Sequence, residues 1–268
     1  MKPIALFPEA AARGLMGIFF DIDDTFSLAG RIPAESFSTL WELWAAGLPC
    51  VPITGRPAGW CDHIARMWPV TGVVGENGAL AFYYDESEKR LRQRFFFPPD
   101  EARKARDRLM GAADEVLRRV PGTALASDQP YRLFDVAVDF TEDVAPLPPS
   151  AVEKICDIFR DRGLTYKVSS IHVNAWFGDY DKLTMTRIFV REVLGIDLDE
   201  KRDRFVFFGD SPNDEPMFDF FPHSVGVANV KDFLDRMKKR PAYVTENAGG
   251  IGFAEGARII MQKRGTVS

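Results

Sequence analysis

Cysteine is scarce in this 268-residue chain, with Cys50, Cys61 and Cys156 as the only three. Their odd number and wide spacing exclude a disulfide framework and a cysteine-based zinc pattern, and point to a reducing, cytoplasmic compartment. No apolar run approaches the roughly 18 residues that would read as a membrane span. Glu9 and Arg13 interrupt the apolar stretches near the start, so no signal-peptide core is expected there. No block of Lys and Arg stands out, and the formal net charge of -5 argues against a nucleic-acid surface. Internal repeats and low-complexity tracts are missing too. What is present is a chain 46% hydrophobic and 12% aromatic. It is long enough for one large α/β domain or for a core with a smaller second domain.

Apolar strand-like runs alternate with helical patterns, which predicts a mostly parallel sheet covered on both faces. Strands are expected over 16–20 and 48–53. A helix between them, over 33–46, carries Phe37, Leu40, Trp41 and Trp44 at helical spacing. A second helix over 57–67 leads to a short strand at 73–74. The middle changes character. It offers a hairpin (81–84 and 91–97), a long amphipathic helix over 99–120, a half-exposed strand over 133–140, a helix over 151–162 and strand-like segments over 166–177. These describe an antiparallel sheet with helices on one face, inserted into the parallel pattern. That pattern returns with a helix over 182–194, a strand over 204–208 and short strands at 224–227 and 242–244.

Behind the apolar run at 17–20 stand Asp21, Asp23 and Asp24, three carboxylates in four residues. Like charges at the mouth of a strand repel and lose solvation unless a cation or a proton compensates them. The cluster therefore suggests a divalent metal, a phosphoryl-transfer site, or both; a short apolar strand ending in a solvated acidic turn is the plainer, less favoured reading. Thr54 ends the second strand, and Asp210, Asn213 and Asp214 follow the strand over 204–208. Lys182 opens the helix just upstream. Ligands of open α/β sheets bind beyond the carboxyl ends of the strands, where these groups would collect. Each has a plain structural reading: Thr54 as a helix cap, Lys182 as a solvated surface lysine, Asp210 as a turn. Their joint order along one chain is the specific signal.

In that order the chain resembles the haloacid dehalogenase superfamily of aspartate-nucleophile phosphohydrolases, over about residues 16–255. The matching segments are DIDDT at 21–25, the threonine of VPITGR at 51–56, Lys182, and GDSPND at 209–214. The long insertion looks like the larger α/β cap of the Cof-type and sugar-phosphatase branch, and VVGENGAL at 73–80 is similar to that branch. The resemblance implies an α/β fold: a doubly wound, mostly parallel Rossmann-like core from 1–82 and 179–268, with an inserted α+β cap domain at 83–178. It implies Asp21 as nucleophile and Asp23 as general acid–base. Mg²⁺ would be held by a carboxylate of Asp21, the backbone carbonyl of Asp23, and Asp210, with Asp214 and Asn213 in support. Thr54, the N–H of Gly55, and Lys182 would bind phosphate oxygens. Asp24 and Thr184 depart from the pattern, standing where relatives often have glycine.

Substrate choice in this branch rests on the cap. Arg56, Asn77, His172 and Asn174 are candidates to face the cleft, and His172-Val173-Asn174 resembles the mannosyl-3-phosphoglycerate and sucrose phosphatase relatives. Tyr131, Trp176 and Phe177 are sugar-stacking or core aromatics; His63 and His223 read as structural or exposed. The expected activity is Mg²⁺-dependent hydrolysis of a small phosphorylated metabolite, a sugar phosphate or a derivative, through an aspartyl-phosphate. A phosphomutase using the same aspartate pair and a catalytically silent binding protein are the alternatives. No nucleic-acid or membrane partner is expected, and the sequence gives no oligomeric state.

Overall fold

The computed structural model describes residues 1–265. Six strands form a parallel sheet in the order Lys2–Pro3, Tyr243–Val244, His223–Gly226, Phe205–Gly209, Gly17–Phe20, Cys50–Pro52. The two middle strands, Gly17–Phe20 and Phe205–Gly209, are buried at every residue, as expected of a sheet covered on both faces. Because successive side chains alternate, Phe20 and Phe208 enter one apolar layer with Leu40, Ile64 and Phe253. Phe19 and Phe207 enter the other with Met185, Phe189 and Phe221.

The helix Ala34–Ala45 forms where the spacing predicts it but packs through a different stripe. It buries Ser36, Thr39, Leu40 and Leu43, while Trp41 and Trp44 are 51% and 45% exposed. The buried positions follow the i, i+3, i+4, i+7 rule, so Leu40 and Leu43 with two small polar residues, not the tryptophans, face the interior, where Ser36 lies against Gly250. The helix from Lys182 runs regularly to Phe189 and continues as a wider turn over Val190–Leu194 to Gly195, at φ +68°. Gly249–Arg264 adds a 16-residue helix against the first layer, an element the apolar spacing did not announce. Glycines at 250, 252 and 256 let it approach closely, since a Cβ at each would fall under 3.0 Å from a neighbour.

Val73–Gly75, Leu80–Asp85 and Arg90–Phe95 make an antiparallel sheet, joined to the parallel one by the Ile53–Val74 bridge. The expected 82/83 division runs through the strand Leu80–Asp85, whose hairpin continues the core rather than the insert. The cap sheet has the order Ala124–Leu125, Asp135–Asp139, His172–Trp176, Thr165–Val168, all antiparallel. Helices Pro99–Arg119 and Pro149–Asp161 cover one face, closing a separate core around Val116, Val138, Ile155, Phe159 and Val173. The strand expected to be half exposed is buried throughout Asp135–Asp139. Its alternation is real, but the polar face carrying Asp135 is shut in against the parallel domain instead of facing water. No described helix is long and apolar enough to cross a membrane.

Candidate active site

The register that pairs Phe20 with Phe208 sets the ends of the two central strands side by side, and the Asp21 N–H donates to the Phe208 carbonyl at 2.9 Å. Asp21 and Asp210 therefore leave the sheet at the same edge. Asp214 joins them from the next turn, where its Oδ2 accepts from the N–H groups of Asp210 (3.0 Å) and Ser211 (3.4 Å). The oxygens of Asp21, Asp210 and Asp214 lie within 4.8 Å of one another, all three buried.

Lys182 is no surface lysine. It is 5% exposed, and its Nζ donates to Asp21 Oδ1 at 2.8 Å and to Asp214 Oδ1 at 3.1 Å. Its helix starts here because Asp181 caps it, accepting from the Thr184 N–H and hydroxyl. The threonine found in place of the frequent glycine thus serves the cap. Asp24 sits at φ +54°, a left-handed conformation that glycine adopts most easily and aspartate tolerates. Its carbonyl accepts from Asn229 Nδ2 at 3.0 Å, and the same amide lies 3.4 Å from Asp210 Oδ2. Thr25 donates to Asp210 Oδ1 at 3.0 Å. No motif singled out Asn229, which stands far along the chain from the acidic cluster.

Three carboxylates against one lysine leave two surplus negative charges. Burial pushes Asp21 up to about 7 even against the attraction of Lys182, and burial with Asp214 and Asp21 nearby raises Asp210 well above the carboxylate range. Burial works against the charge on Lys182, but Asp21 and Asp214 outweigh it and hold the ammonium. Thr54 is fully buried, its backbone N–H on the Val74 carbonyl and its hydroxyl oxygen accepting from the Arg56 N–H. Thr54 is therefore not the helix cap that its position suggested, since Pro57 holds that place without a side-chain bond, and it caps the turn before the helix instead.

Asp23 stands apart from the acidic triad. Its carboxylate is gripped by Arg56, whose Nε lies 3.0 and 3.1 Å from the two oxygens and whose Nη2 lies 2.8 Å from Oδ1. Arg56 is itself buried, stacked at 4.5 Å over Trp60, and its Nη2 reaches Glu142 Oε1 of the cap at 2.9 Å. His172 Nε2 is 2.9 Å from Glu142 Oε2, an ion-pair distance that is misaligned for a hydrogen bond. These neighbours, His172 first and then Arg56, lower Glu142 to about 2.

Two more clamps join cap and core. Arg132, 1% exposed, donates to Asp128, Asp135 and the Gly55 carbonyl. Glu76 accepts from the N–H groups of Ala58 in the core and of Leu133 and Phe134 in the cap. Asn174 is engaged in this framework, donating to Asp135 at 2.8 Å. Asn77 is buried at φ +55° with its Nδ2 unpartnered, packed against the space Gly55 leaves for lack of a side chain. Glu142, Asp128, Arg132 and Asp135 carried no sequence signal, since a charged residue in a loop or on a half-exposed strand reads as solvated; Glu76 lies in the VVGENGAL segment, which assigned it no role. Of the aromatics, Trp176 is core, stacked on Tyr180; Phe177 lies under Arg108; Tyr131 is 59% exposed. His63 is exposed and His223 half-buried against Phe7.

Between cap and core the groups enclose a cavity of about 20 Å³, lined by Asp21, Asp23, Gly55, His172, Asp210 and Asn213 among others. Such a space suits about one water molecule and is far below the roughly 300 Å³ of a small-molecule site. The cap is closed on the acidic cluster.

No family model matches the sequence, and no curated protein matches it. Solved structures do. A Thermoplasma acidophilum protein, 0175, aligns over 94% of this chain and 99% of its own with a TM-score of 0.67 at 17% identity. A haloacid dehalogenase-like hydrolase from Bacteroides thetaiotaomicron covers 92% and 99%, with a TM-score of 0.63 at 16% identity. The sucrose-phosphatase of Synechocystis, solved with sucrose and phosphate, covers 92% and 98%, with a TM-score of 0.63 at 14% identity. The chain has the haloacid dehalogenase-like hydrolase fold, with core and cap both matched.

Proposed function

We propose that the protein is a phosphoric monoester hydrolase acting on a small phosphorylated metabolite, a sugar phosphate or a derivative, with Mg²⁺. The observation that carries this reading is the buried Lys182 lying between Asp21 and Asp214, with Asp210 completing the acidic group. A lysine is rarely buried without a reason, and three carboxylates with one ammonium suit a divalent cation and a phosphate better than a packing role.

The donor set fits Mg²⁺, a hard cation that takes oxygen ligands. Asp21 and Asp210 would hold it, with the Asp23 backbone carbonyl, while Asp214 already has both oxygens engaged by Lys182 and by backbone N–H groups and supports from behind. When bound, the cation offsets the surplus charge and polarises the phosphate oxygens.

The chain's own groups divide the remaining work. An Asp21 oxygen attacks phosphorus as the bond to the alcohol oxygen breaks, leaving an aspartyl-phosphate. Asp23 gives its proton to the departing alcohol, then takes one from the water that cleaves the aspartyl-phosphate and restores the Asp21 carboxylate. Lys182, the Thr54 hydroxyl and the Gly55 N–H hold phosphate oxygens as charge redistributes. The closed cap excludes bulk water during transfer and must open for exchange. The polar cap face at His172 and Asn174, and the likeness to a sucrose-phosphatase, support a sugar as the leaving group. A phosphate-release screen over sugar phosphates, with and without Mg²⁺, tests the reading. Release that depends on Mg²⁺ supports it; no release from any ester, with no cation bound, would overturn it. An isomeric phosphorylated product without free phosphate would point to a mutase.

A further inference from the structure

Glu142 belongs to the cap, in the loop after the strand Asp135–Asp139, yet its carboxylate reaches a core guanidinium. That loop is stiffly built: Asp139 Oδ1 accepts from the N–H groups of Thr141 and Glu142, and its Oδ2 from that of Asp143. At its tip Glu142 Oε1 accepts from Arg56 Nη2 at 2.9 Å, and the same nitrogen donates to Asp23 Oδ1 at 2.8 Å. His172 stands behind the other Glu142 oxygen, and Asp128 Oδ2 is 3.6 Å from Arg56 Nη1. One arginine thus joins the core carboxylate assigned to proton transfer with a cap carboxylate that touches neither Asp21 nor Asp23.

We propose that Glu142 is a positioning residue: in the closed cap it fixes the plane of the Arg56 guanidinium, and through it the Asp23 carboxylate, for proton transfer to the leaving oxygen. The inference rests on the phosphatase reading above. Arg56 and Asp23 both lie on the parallel domain, so their pair survives cap opening, whereas the Glu142 contact exists only when the cap is shut. A cavity of about 20 Å³ cannot admit a phosphorylated sugar unless the cap moves, so each turnover breaks and remakes the Glu142–Arg56 contact. Proton transfer tolerates little misplacement, an error of about 1 Å being able to lower a rate by about a hundredfold.

The test compares two esters of nearly equal size with full-length protein and Mg²⁺. p-Nitrophenyl phosphate releases a phenolate stable without a proton, while phenyl phosphate releases a more basic oxygen that benefits from one. The measured quantity is kcat/KM, which reports the steps up to alcohol release and so isolates the first proton transfer from the later water step. In Glu142→Gln the ratio of phenyl to p-nitrophenyl kcat/KM is expected to fall by about threefold or more, part of the 10²–10⁴ that a general acid supplies. Equal losses on both esters, or none on either, would overturn the positioning role while leaving the phosphatase reading in place. Wild-type protein inert towards both esters and towards every sugar phosphate of the screen would instead overturn the phosphatase reading on which the role depends.

Discussion

Replacing Arg132 with methionine removes a cation that is 1% exposed and keeps most of its aliphatic volume. The side chain makes two contacts to Asp128 (2.9 and 3.0 Å), two to Asp135 (3.0 and 3.2 Å) and one to the Gly55 carbonyl (2.9 Å). Its loss strands two buried carboxylates and unpairs the Gly55 carbonyl, beside the turn proposed to bind phosphate. Breaking a buried ion pair from one side costs about 3–5 kcal/mol. Asp128 retains Arg56 at 3.6 Å and Asp135 retains Asn174 at 2.8 Å, so the lower half of that range is expected. At about 2–4 °C per kcal/mol for a chain of this size, the Tm should fall by about 6–16 °C, read by circular dichroism and by calorimetry. Calorimetry also shows whether cap and core then unfold separately, because Arg132 ties one to the other. Converting Asp128 and Asp135 to Asn in the same variant should recover part of the loss, since the stranded charges leave with the arginine. A fall of less than about 2 °C would refute the reasoning, for it would mean that the two carboxylates find solvent or protons at little cost.

Asp21→Asn should abolish phosphate release while shifting the Tm by only a few degrees; activity near wild type would remove Asp21 from the nucleophile's role. Mg²⁺ at about one hundred times its Kd should stabilise the wild type by about 2.7 kcal/mol, or about 5–11 °C in Tm, and Asp210→Asn should lose that gain; an unchanged gain would locate the cation elsewhere. The pKa of Glu142 falls to about 2 on folding from an ordinary value of 4.5, by way of His172 and Arg56. Its stabilisation is therefore full above about pH 4.5 and lost as pH drops towards about 2, so the Tm gap between wild type and Glu142→Gln should be constant above that window and narrow below it. Gly78→Ala should lower both Tm and kcat, because residue 78 has φ +106° and a Cβ there would lie 2.0 Å from the Asp181 carbonyl oxygen, at the start of the helix that carries Lys182. Unaltered kinetics in a folded variant would show that the helix start tolerates displacement.

The parallel core and its motifs were legible because their chemistry is local. An apolar run ending in carboxylates announces a buried strand and a charged mouth together, and Asp21 and Asp210 needed only the parallel register to meet. Lys182 shows the limit: in isolation its side chain reads as solvated, and only the chain order of the motifs brought it to the site. The clamps were hidden for a different reason. Arg132 and Asp135 look like ordinary charges in a loop or on a half-exposed strand and are buried where one domain covers the other, while Glu142 stays partly exposed and is engaged by Arg56 across the same seam. The strand Asp135–Asp139 makes the point in a single element, since its alternation is right and its exposed face is not exposed. The expected domain division likewise falls inside Leu80–Asp85, because the pairing of that strand with Val73–Gly75 depends on partners the local pattern does not name.

Charge accounting across the closed site binds these observations into one physical requirement. Asp21, Asp210 and Asp214 gather around Lys182, and Asp23, Glu142, Asp128 and Asp135 gather around Arg56 and Arg132 beside them, so that the two adjoining sets hold seven carboxylates and three fixed cations. Even with Asp21 and Asp210 raised towards the neutral form by burial, the two sets together remain net negative, and a phosphate ester brings further negative charge to the same place. Coulomb repulsion at these distances in a partly desolvated site is worth several kcal/mol at an effective dielectric of about 20. On the proposed function, phosphate binding is therefore coupled to cation binding, and by reciprocity each strengthens the other. The arginines cannot relieve the imbalance, because Arg56 and Arg132 are already committed to Asp23, Glu142, Asp128 and Asp135. On the proposed function, the anion is therefore expected beside Lys182 and the Gly55 N–H, at the acidic group of Asp21, Asp210 and Asp214.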